Sequence, residues 1–195
     1  MKEALLTEMD EIVDDILSQL YTASTKNPYA IYGHSMGGIV AFLVTRRIVK
    51  EGQIAPPEHL FITGTTAPSS KSIKNKQRHL MGKEEFITEL REMEGCPDEI
   101  LQNHDLLEYY LPILRADFQA AETFRHQKDI PLNVRITVIT GSQEDMDPQD
   151  ISSWQEEATD IVRFFQLPGG HFFIMKYASR IMTMVSQELS SIKTF

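Results

Sequence analysis

The chain of 195 residues has one cysteine, no long apolar run and no excess of positive charge. The single cysteine, Cys96, allows no internal disulfide, so we expect a reducing compartment. No apolar stretch approaches the length of a membrane span, and the opening MKEALLTEMDEIVDDIL is acidic, unlike a signal peptide. The formal net charge of -9 argues against a nucleic-acid surface and against binding to an anionic membrane. We therefore expect a cytoplasmic monomer with neither nucleic-acid nor membrane partners.

Strand-like and helical patterns alternate along a chain long enough for one domain, residues 1–195. Apolar spacing predicts an amphipathic helix over residues 3–21, a short helix over 151–158 and a closing helix over 174–192. Four short apolar runs predict strands: residues 29–32, HLFITGT, NVRITVITG and IVRFFQL. This alternation indicates an α/β fold with a mainly parallel sheet. Between the second and third strands, a Ser- and Lys-rich surface loop and helices over 83–125 form an insertion, about 69–130, that resembles a lid.

A serine lies in a glycine-rich turn between the first strand and the following helix. Gly33-His34-Ser35-Met36-Gly37 matches G-x-S-x-G, the nucleophile elbow of α/β-hydrolases. In that elbow the serine occupies a strained turn, and the flanking glycines make room for closely approaching backbone. The alternative is a glycine-softened loop that happens to contain a serine. The strand before it and the helix after it favour the elbow.

A nucleophilic serine needs a base, and the base needs an orienting acid. In α/β-hydrolases these follow in the order Ser, Asp or Glu, then His. Of six histidines, His171 follows the last strand in LPGGHFF, where two glycines free the loop. We expect it to reach across the carboxyl ends of the strands toward Ser35. His34 is expected to point away from the nucleophile's partner.

The acid should follow the strand NVRITVIT, in the loop GSQEDMDPQD. The usual G-x-x-D spacing from Gly141 reaches Glu144, and one further residue reaches Asp145. Glutamate orients an imidazole as aspartate does, so the chemistry does not separate the two. We favour Asp145 slightly over Glu144, and Asp147 follows both.

Four segments in this order resemble the type II thioesterases that accompany nonribosomal peptide and polyketide synthases: GHSMGG, LPILRADFQAAETF, the acid loop with Trp154, and LPGGHFF. The resemblance implies an α/β-hydrolase fold and a serine hydrolase that cleaves acyl or aminoacyl thioesters from the phosphopantetheine arm of carrier proteins. The implied task, in antibiotic biosynthesis, is to remove acyl groups that block misprimed carrier domains. The nucleophile carries over to Ser35, the base to His171, and the acid to Asp145 or Glu144. No cofactor or metal of its own is implied.

The chain departs from the family pattern at its beginning. The family starts with extra strands and an F-P-x-A-G-G loop that supplies half of the oxyanion hole, and this sequence opens at the helix before the nucleophile strand. The backbone N–H of Met36 is the oxyanion donor that remains. We therefore expect an N-terminally shortened hydrolase fold, and keep two alternatives: a non-catalytic remnant that binds carrier protein, or a generic serine esterase or acyltransferase. A basic stretch in the insertion is expected to dock the acidic carrier domain: Lys71, Lys74, Lys76 and Arg78.

Overall fold

The computed structural model describes residues 4–23, 27–70, 76–93, 96 and 98–192. The chain divides into two compact units. One comprises Met1–Ile12 and Ile73–Arg125, and the other comprises Val13–Ser72 and His126–Phe195. The second segment of the first unit, Ile73–Arg125, lies within the range predicted for the helical insertion, about 69–130.

Four parallel strands form the sheet of the second unit: β1 Ala30–His34, β2 His59–Thr63, β3 Arg135–Gly141 and β4 Arg163–Leu167. They lie in the order β1-β2-β3-β4, and every neighbouring pair is parallel. All five residues of β2 are buried, as the continuous apolar run HLFIT predicts for a strand covered on both faces. The predicted parallel sheet is confirmed, and its register brings the carboxyl ends of β1, β2 and β3 side by side.

Eight α-helices lie in the described part of the chain: α1 Met9–Ala23, α2 Met36–Glu51, α3 Lys83–Glu92, α4 Asp98–Gln102, α5 His104–Thr123, α6 Pro148–Ser152, α7 Phe173–Lys176 and α8 Ala178–Ile192. The first helix begins six residues later than predicted. Leu5 and Leu6, which lie within the predicted range, precede it with exposed fractions of 48% and 37%. The closing helix is divided at Tyr177 into α7 and α8. No helix within the described residues has both the length and the hydrophobicity needed to cross a membrane.

The predicted helices of the insertion are confirmed as α3, α4 and α5, preceded by a 3-10 turn at Arg78–Leu80. The Asn103 side chain caps α5, because its Oδ1 accepts the backbone N–H groups of Asp105 and Leu106, both at 3.1 Å. The apolar faces of these helices form a core of their own around Phe86 and Leu90, both completely buried. This packing accounts for the regular helical spacing between residues 83 and 125.

The loop that follows β2 was predicted to be a surface segment, and for its first residues this is wrong. Ala67 and Ser70 are buried. The N–H of Ala67 donates to the carbonyl of Asp150 at 3.2 Å, and the indole N–H of Trp154 donates to the carbonyl of Thr65, also at 3.2 Å. These bonds to residues that lie far along the chain hold the polar loop inside, where composition alone predicts exposure. Residues 71–75 of the same loop lie outside the described residues.

Candidate active site

Ser35 occupies a strained turn between β1 and α2. Its φ of 54° and ψ of -127° make it the one non-glycine residue with positive φ in the described part of the chain. Its N–H donates to the carbonyl of Thr63 at 2.8 Å, and its side chain does not cap the helix. Such strain persists only where the surrounding structure enforces it, and it clusters at functional sites. The geometry is that of the predicted nucleophile elbow.

The glycines around Ser35 differ in what they do. A Cβ at Gly33 would lie 2.1 Å from the carbonyl oxygen of Gly37, and a Cβ at Gly38 would lie 2.9 Å from the methyl group of Thr65. A Cβ at Gly37 would meet no atom within 4 Å. The close approach that we expected at both flanks of the motif is therefore made at Gly33 and at Gly38, one residue beyond the motif.

Met36 is the first residue of α2. The N–H groups in the first turn of a helix have no acceptor within the helix, and they lie at the positive end of the helix dipole. Met36 therefore has the position in the chain from which, in a nucleophile elbow, a backbone N–H donates to the oxyanion.

His171 and Glu144 meet at the carboxyl end of the sheet. His171 Nδ1 lies 2.7 Å from Glu144 Oε1, and the Glu144 side chain is only 4% exposed. The other carboxylate oxygen of Glu144 accepts the backbone N–H of Gly141 at 2.6 Å, so both oxygens are fixed. Because a carboxylate only accepts hydrogen bonds, His171 carries a proton on Nδ1, and in the neutral ring Nε2 is then the nitrogen that can accept a proton. A base with this tautomer is what a serine nucleophile requires.

The hydrogen bond between Glu144 and His171 favours Glu144 as the acid, against the slight preference for Asp145. The physical reason is a tight turn: the N–H of Glu144 donates to the carbonyl of Gly141 at 3.3 Å, which directs the carboxylate back toward the end of β3. Asp147 has a different task. Its Oδ1 accepts the N–H of Gln149 at 2.7 Å and caps α6.

His34 does not point away from this pair, and that expectation is wrong. Its ring centroid lies 4.8 Å from that of His171, and the two rings are tilted by 37°. Its Nδ1 bonds the hydroxyl of Thr63 at 3.0 Å. Burial and the neighbouring His171 lower the pKa of His34 to about 4. The sequence placed His34 beside Ser35 but held no information on the direction of its side chain.

The other histidines lie away from Ser35 in chain position and contact other groups. His59 bonds Thr137 at 2.8 Å, and burial lowers its pKa to about 4. His126 lies 3.2 Å from Glu157, and His79 bonds Glu122 at 2.7 Å. The His104 side chain is 82% exposed. Within the described residues, no group of three or more His, Cys, Asp and Glu side chains could hold a metal ion.

The basic stretch predicted to dock a partner is partly neutralised within the insertion. Lys76 and Arg78 both bind the Glu89 carboxylate, at 2.8 Å and 2.9 Å. Arg78 also bonds Glu122 at 3.2 Å, and its side chain is only 14% exposed. These two residues therefore serve as internal ion-pair partners. Lys71 and Lys74, the other two members of the stretch, lie outside the described residues.

Residues 1–189 match the sequence profile of the thioesterase domain family. The gramicidin S biosynthesis protein GrsT of Aneurinibacillus migulanus is 30% identical over 188 residues, which are 96% of this chain and 72% of that protein. The solved type II thioesterase BorB from the borrelidin biosynthetic cluster is 29% identical, with a TM-score of 0.82 over 96% of this chain and 73% of that one.

The solved structure of ClbQ from the colibactin NRPS/PKS pathway is 27% identical, with a TM-score of 0.91 over 98% of this chain and 80% of that one. These similarities confirm the α/β-hydrolase fold and the resemblance to type II thioesterases that the motifs predicted. The chain belongs to the thioesterase domain family.

Proposed function

We propose that the protein hydrolyses acyl thioesters through Ser35, His171 and Glu144. In the first step His171 Nε2 takes the hydroxyl proton as Ser35 Oγ attacks the thioester carbonyl carbon, and the Met36 N–H donates to the oxyanion. The C–S bond then breaks, and the sulfur leaves with the proton held by His171. In the second step a water molecule gives a proton to His171 and attacks the acyl–serine ester. His171 then returns this proton to Ser35 Oγ as the ester C–O bond breaks, which releases the carboxylic acid and restores both residues.

The observation that carries this proposal is the 2.7 Å hydrogen bond between His171 and the nearly inaccessible Glu144, with the His171 ring beside the residue that precedes Ser35. Glu144 has both oxygens bonded, so it holds the imidazole in one tautomer. Since a buried carboxylate next to an imidazole also favours the charged ring, Glu144 would stabilise His171 in the step in which it holds the proton.

The substrates that we propose are acyl or aminoacyl groups on the phosphopantetheine arm of carrier proteins in nonribosomal peptide or polyketide synthesis. Membership of the thioesterase domain family supports the proposal that the bond cleaved is a thioester. Similarity to BorB, a type II thioesterase of a biosynthetic cluster, and to GrsT, a gramicidin S biosynthesis protein, supports the carrier-bound substrate. On this proposal the protein removes acyl groups that block carrier domains, and it needs no cofactor of its own.

The test is hydrolysis of an acetylated phosphopantetheinyl carrier protein and of the acetyl thioester of N-acetylcysteamine. Ser35→Ala should abolish turnover of both and also prevent labelling by a fluorophosphonate probe. Ser152→Ala is the matched control, because Ser152 is exposed and its hydroxyl bonds the Gln149 carbonyl of its own helix. A Ser35→Ala variant that keeps its activity would refute the serine mechanism. A wild-type protein that binds the carrier but turns over neither substrate would support a non-catalytic binding role instead.

A further inference from the structure

A second imidazole packs against the proposed base. The ring of His34 lies 4.8 Å from the ring of His171, and it also approaches Phe172 and Phe173, each at 6.2 Å between centroids. His34 Nε2 is shielded from solvent and has no hydrogen-bond partner among the described residues. The triad chemistry proposed above gives this buried polar ring no task.

The orientation of the His34 ring is set by Thr63 at the end of β2. The Thr63 hydroxyl lies 3.3 Å from the carbonyl oxygen of Gly33, 3.0 Å from the hydroxyl of Tyr32 and 3.0 Å from His34 Nδ1. A hydroxyl has one proton, and the Gly33 carbonyl can only accept it. Tyr32 and His34 Nδ1 then donate to the two lone pairs of the Thr63 oxygen. His34 is therefore the neutral Nδ1–H tautomer, and its orphaned Nε2 is unprotonated.

The absence of a side chain at Gly64 makes room for the His34 ring. Gly64 has a φ of 64°, and a Cβ there would lie 2.5 Å from His34 Cε1 and 3.3 Å from Glu144 Oε1. The His34 ring and the Glu144 carboxylate therefore both pack down on Gly64. His171 contacts both of them, Glu144 by its hydrogen bond and His34 by its ring face. Two sides of the proposed base are thus held by groups anchored at the ends of β2 and β3.

We propose that His34 is a positioning residue, whose neutral ring, anchored by Thr63, keeps the His171 imidazole aligned with Glu144 and directed toward Ser35. The inference rests on the proposed function and adds to it a support for the base. A proton on His34 Nε2 would find no acceptor among the described residues and would lie beside His171. Burial and His171 itself lower the pKa of His34 to about 4, so His34 stays neutral while His171 takes the proton from Ser35.

The structure supplies a matched control at the opposite end of the sheet. His59 is buried, bonds the hydroxyl of Thr137 at 2.8 Å, and has its pKa lowered by burial to about 4, as His34 does. His34→Ala and Thr63→Val should lower kcat for the acetyl N-acetylcysteamine thioester by about 10- to 100-fold and leave KM within about twofold, because a misplaced base slows the chemical step. His59→Ala and Thr137→Val should leave both constants near those of the wild type.

A second readout does not depend on turnover. The proton between His171 Nδ1 and Glu144 should give a low-field NMR resonance, which is assigned by its loss in Glu144→Gln. We expect this resonance to be lost in His34→Ala, shifted in Thr63→Val, and retained in His59→Ala. The proposal is overturned if a folded His34→Ala variant, or Thr63→Val where His34→Ala does not fold, keeps the resonance and a kcat within about twofold of the wild type. Failure of the proposed function would give a different result: the wild-type protein would hydrolyse neither substrate. The resonance in His34→Ala would still show whether His34 positions His171.

Discussion

Replacement of Glu144 by glutamine tests the assignment of the acid most directly, because the two oxygens of Glu144 bond two different donors. One accepts the N–H of Gly141 at 2.6 Å and the other accepts His171 Nδ1 at 2.7 Å. A glutamine amide has one oxygen and one NH₂ group. If its oxygen remains on the Gly141 N–H, its NH₂ group faces His171 and requires Nδ1 to accept. The proton then moves to Nε2, where the ring can no longer take a proton from Ser35.

The expected loss in kcat is about 10³- to 10⁴-fold, the size seen when the triad acid of a serine protease is made neutral. This equals about 4–5.5 kcal/mol of transition-state stabilisation. KM should change little, since Glu144 bonds His171 and backbone and has no role in holding the substrate. Glu144→Asp should be intermediate, at about 10²-fold, because a side chain shorter by one methylene group cannot keep both bonds.

Steady-state hydrolysis of the acetyl N-acetylcysteamine thioester measures these constants. Asp145→Asn is the neighbouring control, and we expect it to stay within about threefold of the wild type. Asp147→Asn serves as a second control: its cost should appear in stability, at about 1 kcal/mol or less, because its side chain caps α6. The assignment of Glu144 would be refuted if Asp145→Asn lost more activity than Glu144→Gln.

Two further predictions concern stability. The pKa of His59 is lowered to about 4 in the folded protein and lies near 6.5 in the unfolded chain, so the unfolded state binds more protons between pH 4 and pH 6.5. The contribution of neutral His59 to the free energy of unfolding, at most about 3 kcal/mol, should therefore be complete above pH 6.5 and be lost as the pH falls to 4. Urea unfolding should show that the free energy of unfolding falls less between pH 7 and pH 4.5 for His59→Gln than for the wild type. An equal fall in both proteins would contradict the lowered pKa of His59. In the insertion, Glu122→Gln should cost about 1–3 kcal/mol in thermal unfolding, because Glu122 binds both Arg78 and His79 at low exposure. The exposed Glu156→Gln should cost less than about 0.5 kcal/mol, and equal shifts would show that the Glu122 cluster is not stabilising.

The elbow and the placement of His171 were predictable because each depends on a short stretch of chain. Glycine at position 33 is required by backbone packing within five residues, and His171 follows a strand whose direction the alternation of elements determines. Parallel strands bring their carboxyl ends together whatever the loops contain. The motif and the order of elements were therefore enough to place these two residues at the same end of the sheet.

The hydrogen bond between Glu144 and His171 and the position of the His34 ring were not predictable in the same way, because both depend on side-chain direction. Glu144 and Asp145 are adjacent, and only the turn closed on Gly141 directs the first toward His171. The spacing itself favoured Glu144, since the carboxylate of an acid three residues after the last strand residue can accept the backbone N–H of that residue. The direction of the His34 ring depends on Thr63, which lies 29 residues away on another strand.

One of the four segments that carried the family resemblance, LPILRADFQAAETF, has a structural task within the insertion. In the segment LRADF, the guanidinium of Arg115 donates to the carbonyls of His79 and Met81 at 2.6 Å and 2.8 Å, and it lies 4.5 Å from the centre of the Phe86 ring. In the following ETF, the Glu122 carboxylate binds Arg78 together with the ring and backbone N–H of His79.

Both halves of the motif therefore fasten the same 3-10 turn to α5, and they do so with half-buried charged groups that serve one another as partners. Removing one member of this cluster would leave the others without that partner, at a cost in stability. Local charge counting does not find the partners of Lys76 and Arg78, because Glu89 and Glu122 lie 11 to 44 residues further along the chain. The docking role of this basic stretch stays a prediction.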